Sequence, residues 1–188
     1  MTVQSSTIDP LHADGSGQGI LTQSLLITGF AAATAVAAQV EIPHYPVPFT
    51  LQTLFVLLAG AFLGPRNGAL SMVLYLSVGV LGLPVFSGGG MGLMRILGPT
   101  GGYLLAFPIA AAIVGYLISK RAGLVWALLS MTASLFIIFL SGTIQLYTVV
   151  YRDWAEAFSN GFLIFSWWDL LKLSAAAMIY NEISKRWN

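Results

Sequence analysis

The sequence predicts an all-α, polytopic membrane protein: a bundle of six transmembrane helices with both termini in the cytoplasm. Three observations carry this. Of 188 residues, 57% are hydrophobic and 8% charged, and the mean hydropathy is +0.83. A soluble domain carries about 25% charged residues, so the apolar excess must face lipid. The charges also stand at intervals, leaving uncharged runs such as 67–94 and 122–151. Finally, these runs lack the in–out alternation of a barrel strand. The composition excludes a soluble enzyme, a nucleic-acid binder and a disordered chain. The absence of cysteine excludes disulfides and thiolate metal sites.

A spanning helix needs about 20 mainly apolar residues. Six candidates fit, at 20–40, 50–63, 66–83, 103–119, 123–150 and 158–183, the second of them short. Residues 1–19 are polar, contain Asp9 and Asp14, and lack the basic start and cleavage site of a signal peptide. They read as a disordered tail ahead of one membrane domain, 20–188. With six spans, Arg66, Lys120, Arg121, Lys185 and Arg186 share the side of the termini. Arg95 and Arg152 lie opposite, with Glu41, Asp153 and Glu156. The excess of basic residues assigns the first side to the cytoplasm.

Intramembrane charges and broken backbone are the informative exceptions to these rules. The segment 41–50, EIPHYPVPFT, has three prolines that cannot continue a helix. It reads as a lid over an outward-facing pocket or as a stiff connecting loop. Eight glycines fall in 82–102. They either bring backbone close to a ligand or allow tight helix packing. Thr100, or Gly101 and Gly102 after it, would open the fourth helix and offer free N–H groups to a carboxylate or carbonyl oxygen.

Asp169 and Lys172 lie inside the sixth span on one helix face. Counted from the start of that span, Asp169 would lie about 16 Å deep. A charge there is costly, so the pair must face the bundle interior, either as a polar ligand site or as a structural ion pair. Phe165 and Ala176 would point inward with it, and Phe162, Trp167 and Trp168 would stand around it. In the first helix, Gly29, Ala33 and Ala37 form one small-residue stripe and Ala31 and Ala35 another. Such stripes serve close helix packing, inside the bundle or against a partner.

No phosphate-binding lysine loop is present, nor any serine–histidine or histidine–glutamate constellation in the membrane segments. ATP hydrolysis by that route and intramembrane catalysis are therefore disfavoured, and no metal or resident cofactor is expected. The residues describe a helical membrane protein that binds a small solute, part polar and part apolar. A membrane scaffold is the competing class; it gives no reason for charges at Asp169 and Lys172.

Several motifs carry a resemblance: PVPFTLQTLFVLLAG (46–60), LGPRNGALS (63–71), GLPVF (82–86), LGPTGGYL (97–104) and DLLK (169–172). Together they resemble the BioY family, the biotin-specific substrate-binding (S) components of energy-coupling factor (ECF) transporters. The resemblance implies six membrane helices and biotin bound from outside. It also implies partnership with a transmembrane coupling protein and two cytoplasmic ATPases in the cell membrane, and toppling of the S component as the transport motion. Under it, the small-residue stripes of the first helix would dock the coupling protein. Asp169 would accept a ureido N–H of biotin and Lys172 would donate to the carbonyl. On the reading of the pocket residues the carboxylate would meet the N–H groups of Gly98, Thr100, Gly101 and Gly102, or Arg95, which is not part of the family pattern. Gln52 and Thr50 would make lid-side contacts, and Phe86 and Trp168 would supply apolar wall. Another vitamin, or transport without the ATPase module, are the alternatives on this reading.

Overall fold

A computed structural model describes residues 17–163 and 166–187. The tail expected at 1–19 lies outside the described residues up to residue 16; residues 17–19 are already helical. The order is α1 (Gly17–Gln39), a short hairpin β1 (Glu41–Ile42) and β2 (Phe49–Thr50), α2 (Gln52–Val80), α3 (Leu93–Leu97), α4 (Gly101–Ile118), α5 (Leu124–Leu146), α6 (Trp154–Gly161) and α7 (Ser166–Trp187). A π-helical turn, Tyr147–Tyr151, continues α5. Four helical stretches are long and apolar enough to cross a membrane: 19–39, 52–80, 101–118 and 124–151. At 22 residues α7 is about 33 Å long, enough to cross as well. Its charges at Asp169, Lys172, Glu182, Lys185 and Arg186 lower its hydropathy.

The spans expected at 50–63 and 66–83 are the two arms of α2. The helix breaks at Gly64 (φ 75°, ψ −179°), and Pro65 follows. Positive φ costs glycine nothing, and proline presets the φ of a first helical turn. The chain reverses there. A Cβ on Gly68 would lie 2.9 Å from the Cα of Gly60, and Gln52 bonds Tyr75 across the arms. Counting these arms separately, six helical segments run along the bundle among the described residues. The first arm is only about 18 Å long, short of the roughly 30 Å hydrocarbon core. The loop ahead of it makes up the difference by folding into the bundle end: Pro46 and Val47 are buried.

Small residues bring α4 onto α2. Gly115 lies against the backbone of Gly64 and Pro65, and Gly60 against the carbonyl of Ala111. Around this contact lies a core that includes Val56, Leu57, Met72, Ala110, Val114, Met131 and Ile138.

The sixth span differs from expectation. It is two helices, and α7 starts only at Ser166, so Asp169 lies in the first turn of α7 rather than about 16 Å deep. Asp153 caps α6 by accepting the N–H of Glu156 at 3.0 Å, so the chain restarts twice before the ion pair.

The basic residues partition. Arg66 sits at the α2 bend, Lys120 and Arg121 between α4 and α5, and Lys185 and Arg186 at the end of α7. Ring contact between Phe62 and Tyr180 (5.5 Å) brings the end of α7 to the bend. Gly115 brings the end of α4 to it as well. One end of the bundle is therefore basic, and α1 begins there.

Candidate functional site

At the opposite end α2, α4 and α7 start and α1 and α5 finish. Helix starts and ends carry unpaired backbone groups, so such an end can satisfy polar groups that the bundle middle cannot. The polar centre is the ion pair. Asp169 is 2% exposed. Its Oδ1 accepts from Thr53 Oγ1 at 2.6 Å and lies 2.6 Å from Lys172 Nζ. Lys172 Nζ also donates to the carbonyl of Thr50 at 2.8 Å. The spacing of three on α7 brings both charges to the start of α2, where Thr50 and Thr53 repeat the same spacing.

A directional chain of hydrogen bonds leads away from the pair. Thr50 Oγ1 donates to Gln52 Oε1 (2.9 Å), Gln52 Nε2 to Tyr75 Oη (2.6 Å), and Tyr75 Oη to the carbonyl of Val85 (3.1 Å). The next residues, Phe86 and Ser87, line the cavity. Gln39, at the end of α1, grips the same loop: Nε2 donates to the carbonyl of Phe86 (3.0 Å) and Oε1 accepts the N–H of Gly89 (3.1 Å). On the far side Gln145 donates to the carbonyls of Ile96 (2.9 Å) and Gly98 (2.6 Å), fixing the entry to α4.

The cavity measures about 50 Å³. Its polar lining is Thr50, Gln52, Thr53, Ser87, Thr100, Asp169 and Lys172. Its walls include Phe86, Tyr103, Leu104, Phe107, Ile138 and Phe139, with Val47 and Pro48 of the prolyl loop over it. Tyr103 lies on Gly142 and donates from Oη to the carbonyl of Gly161 at 2.6 Å. A floor of charge under aromatic walls suits a ligand with one hydrogen-bonding end and one apolar body.

The model of the BioY family matches residues 6–188. The chain belongs to the BioY family. It is 42% identical over 156 residues to the biotin transporter BioY of Thermotoga maritima, covering 83% of this chain and 92% of that protein. It is 44% identical to the probable biotin transporter BioY of Pyrococcus horikoshii, covering 84% and 93%. The structure of the S-component for biotin from an ECF-type ABC transporter shares the fold. Its TM-score is 0.84 at 23% identity, over 92% of this chain and 95% of that one.

In this BioY-family chain the cavity gathers Asp169, Lys172, Thr100, Gln52 and Phe86. Other candidates lie elsewhere. Gly101 packs on the carbonyl of Ile96, Gly102 on the backbone of Ser141, and the carbonyl of Gly98 is taken by Gln145 and by the N–H of Gly101. These glycines serve helix approach and do not line the cavity. The Arg95 side chain lies over Gly90, also outside the lining. Trp168 is 50% exposed, on an outward groove with Trp167, Leu170, Leu171 and Ser174. Phe162 stacks with Phe158 and meets Phe136 and Phe139, whereas Phe165 lies outside the described residues. Ala176 does turn inward with the pair and is buried.

The small-residue stripes of α1 divide. Ala31 and Ala37 are buried and Ala35 is partly buried in the core, while Thr34 reaches Met72 of α2. Ala33 is half-buried, and Gly29 stays on the outer face with Leu25, Ala32 and Val36.

Thr53, Tyr75, Gln39, Gln145 and Tyr103 were not singled out by sequence reasoning. The signal for Thr53 was present: two threonines three apart at an apolar helix start. Replacing Gln39 by alanine removes both of its hydrogen bonds to the loop, about 1 kcal/mol each. Amide exchange at 86–90 is expected to quicken about tenfold or more, with α4 unaffected. Unchanged exchange at Gly89 would show that the loop does not depend on Gln39.

Proposed function

We propose that this chain is the biotin-binding S component of an ECF-type ABC transporter and serves biotin uptake. The observation that carries the reading is the side-by-side acceptor and donor at Asp169 and Lys172 beneath apolar walls. A cyclic urea presents an N–H beside a C=O. Asp169 accepts the first and Lys172 donates to the second, and both bonds are charge-assisted. The apolar body and side chain of biotin lie against Phe86, Tyr103, Phe107 and Phe139. The names of the relatives point to the same ligand.

The protein sits in the cytoplasmic membrane with its basic end inside, following the excess of lysine and arginine there. The cavity then faces outward. Its partners are a transmembrane coupling protein and two cytoplasmic ATPases, as the likeness to an ECF-type S component supports. The outer face of α1 around Gly29 and Ala33 is the docking surface, with Ala31, Ala35 and Ala37 behind it. The chain is a carrier rather than an enzyme and needs no resident cofactor or metal.

A cavity of about 50 Å³ has room for a few waters but not for biotin. Part of the lining must yield, and Val47 and Pro48 on the prolyl loop are the candidates. The test is equilibrium binding of labelled biotin to the purified chain in detergent, with thiamine and riboflavin as competitors. Saturable binding near one per chain, displaced only by biotin, is expected. Folded protein that binds no biotin would overturn the assignment.

A further inference from the structure

The two contacts to the Asp169 carboxylate fall on the same oxygen. Thr53 and Lys172 both reach Oδ1, each at 2.6 Å. No hydrogen bond to Oδ2 is present among the described residues. A carboxylate held by one oxygen has its plane and its free oxygen set together, because both oxygens share one rigid group. Lys172 alone fixes neither, since an ammonium on a flexible stem follows the carboxylate wherever it turns. Thr53 differs. It is 8% exposed, sits in the first turn of α2, and has a β-branched side chain with few rotamers. Its hydroxyl is a fixed donor that pulls Oδ1 toward α2 and leaves Oδ2 as the available acceptor. Lys172, with one hydrogen committed to Thr50 and one to Asp169, keeps a third N–H.

We propose that Thr53 is a specificity-determining positioning residue. By holding Asp169 Oδ1 it presents Oδ2 to one N–H of the ligand's cyclic urea, beside the remaining N–H of Lys172. This rests on the biotin reading above and extends it. The selectivity of the site for an unsubstituted urea edge then depends on a residue that touches the ligand only through Asp169. Without the hydroxyl the carboxylate rotates, the acceptor is no longer in register with the donor, and the advantage of an N–H over an N-methyl group shrinks.

The test compares biotin with two analogues, each methylated at one ureido nitrogen, on the wild-type chain and on Thr53→Val, Thr53→Ala and Thr53→Ser. Wild-type protein is measured first. It is expected to bind biotin and to discriminate strongly against the analogue methylated at the nitrogen facing Asp169. Thr53→Val should weaken biotin at least tenfold and the disfavoured analogue by threefold or less, so that the selectivity ratio falls. Thr53→Ala removes the hydroxyl without adding volume and should do the same. Thr53→Ser keeps the hydroxyl and should restore the ratio to within about threefold of wild type, the difference reflecting only the serine's freer rotamer.

Equal losses for biotin and both analogues would make Thr53 merely structural and overturn the inference. So would unchanged biotin affinity in Thr53→Val. In either case biotin binding by the wild type would leave the functional reading standing. Wild-type protein that binds neither biotin nor its analogues would overturn both.

Discussion

Lys172→Met is expected to lower the stability of the protein sharply and to weaken biotin binding at least about tenfold, whereas the double variant Asp169→Asn/Lys172→Met weakens binding at least about 100-fold with far less loss of stability. The asymmetry follows from burial. Asp169 is 2% exposed, and its carboxylate has two partners. Removing Lys172 leaves a buried charge with one neutral donor, a loss of about 3–5 kcal/mol for a broken buried pair. Removing both charges avoids the penalty, because replacing a whole buried pair is often neutral. Binding has no such escape. Each charge-assisted bond contributes about 1.5–3 kcal/mol, so Lys172→Met should lose at least about tenfold in affinity and the double variant at least about 100-fold. Thermal unfolding in detergent and a biotin titration read the two effects separately. A Lys172→Met protein as stable as wild type and binding within a few-fold of it would remove the ion pair from the site.

Gly115→Val should produce a large loss of stability at a position away from the site. A Cβ at Gly115 meets the Gly64 carbonyl carbon and the Pro65 nitrogen, both backbone atoms in the α2 bend, and lies 2.8 Å from the Gly60 carbonyl oxygen. Backbone cannot swing aside as a side chain can, so α4 must retreat from the whole hairpin. Overpacking costs about 1–3 kcal/mol, and rigid neighbours place this case at or above the upper end. Val114 beside it is fully buried and moves with it. The expected result is a strongly lowered unfolding midpoint and a low yield of folded protein. An unfolding midpoint within a degree or two of wild type would mean that α4 and the bend are not in close contact.

The membrane segments were legible because lipid imposes length and apolarity on each of them. The break at Gly64–Pro65 was legible as a gap between spans, though not as a tight reversal. Asp169 and Lys172 were legible because charges in an apolar run are rare and their spacing sets a shared face. The division of the sixth span after Gly161 was missed although Asn160-Gly161 is a turn signal, because the apolar run that follows it carries the span's hydropathy onward. Trp168 follows from the same cause: being aromatic and adjacent to Asp169 does not place it on the same side, since neighbours on a helix differ by about 100°. Gly101 and Gly102 show the limit of glycine as a sign. A glycine marks a close approach without naming the approaching group, which here is the backbone at Ile96 and Ser141. The partners Thr53–Asp169 and Gln39–Phe86 are separated by 116 and 47 residues. No local pattern encodes such distances.

The narrowness of the cavity bears on timing. A guest larger than its room cannot arrive in a single collision. Encounter at the mouth must be followed by a slower rearrangement of the walls, which holds the association rate below that of simple diffusional docking. The same rearrangement must run backward before the guest can leave. A wall that is slow to part therefore lengthens residence as much as it delays capture. For the uptake role proposed above, slow escape matters more than quick arrival.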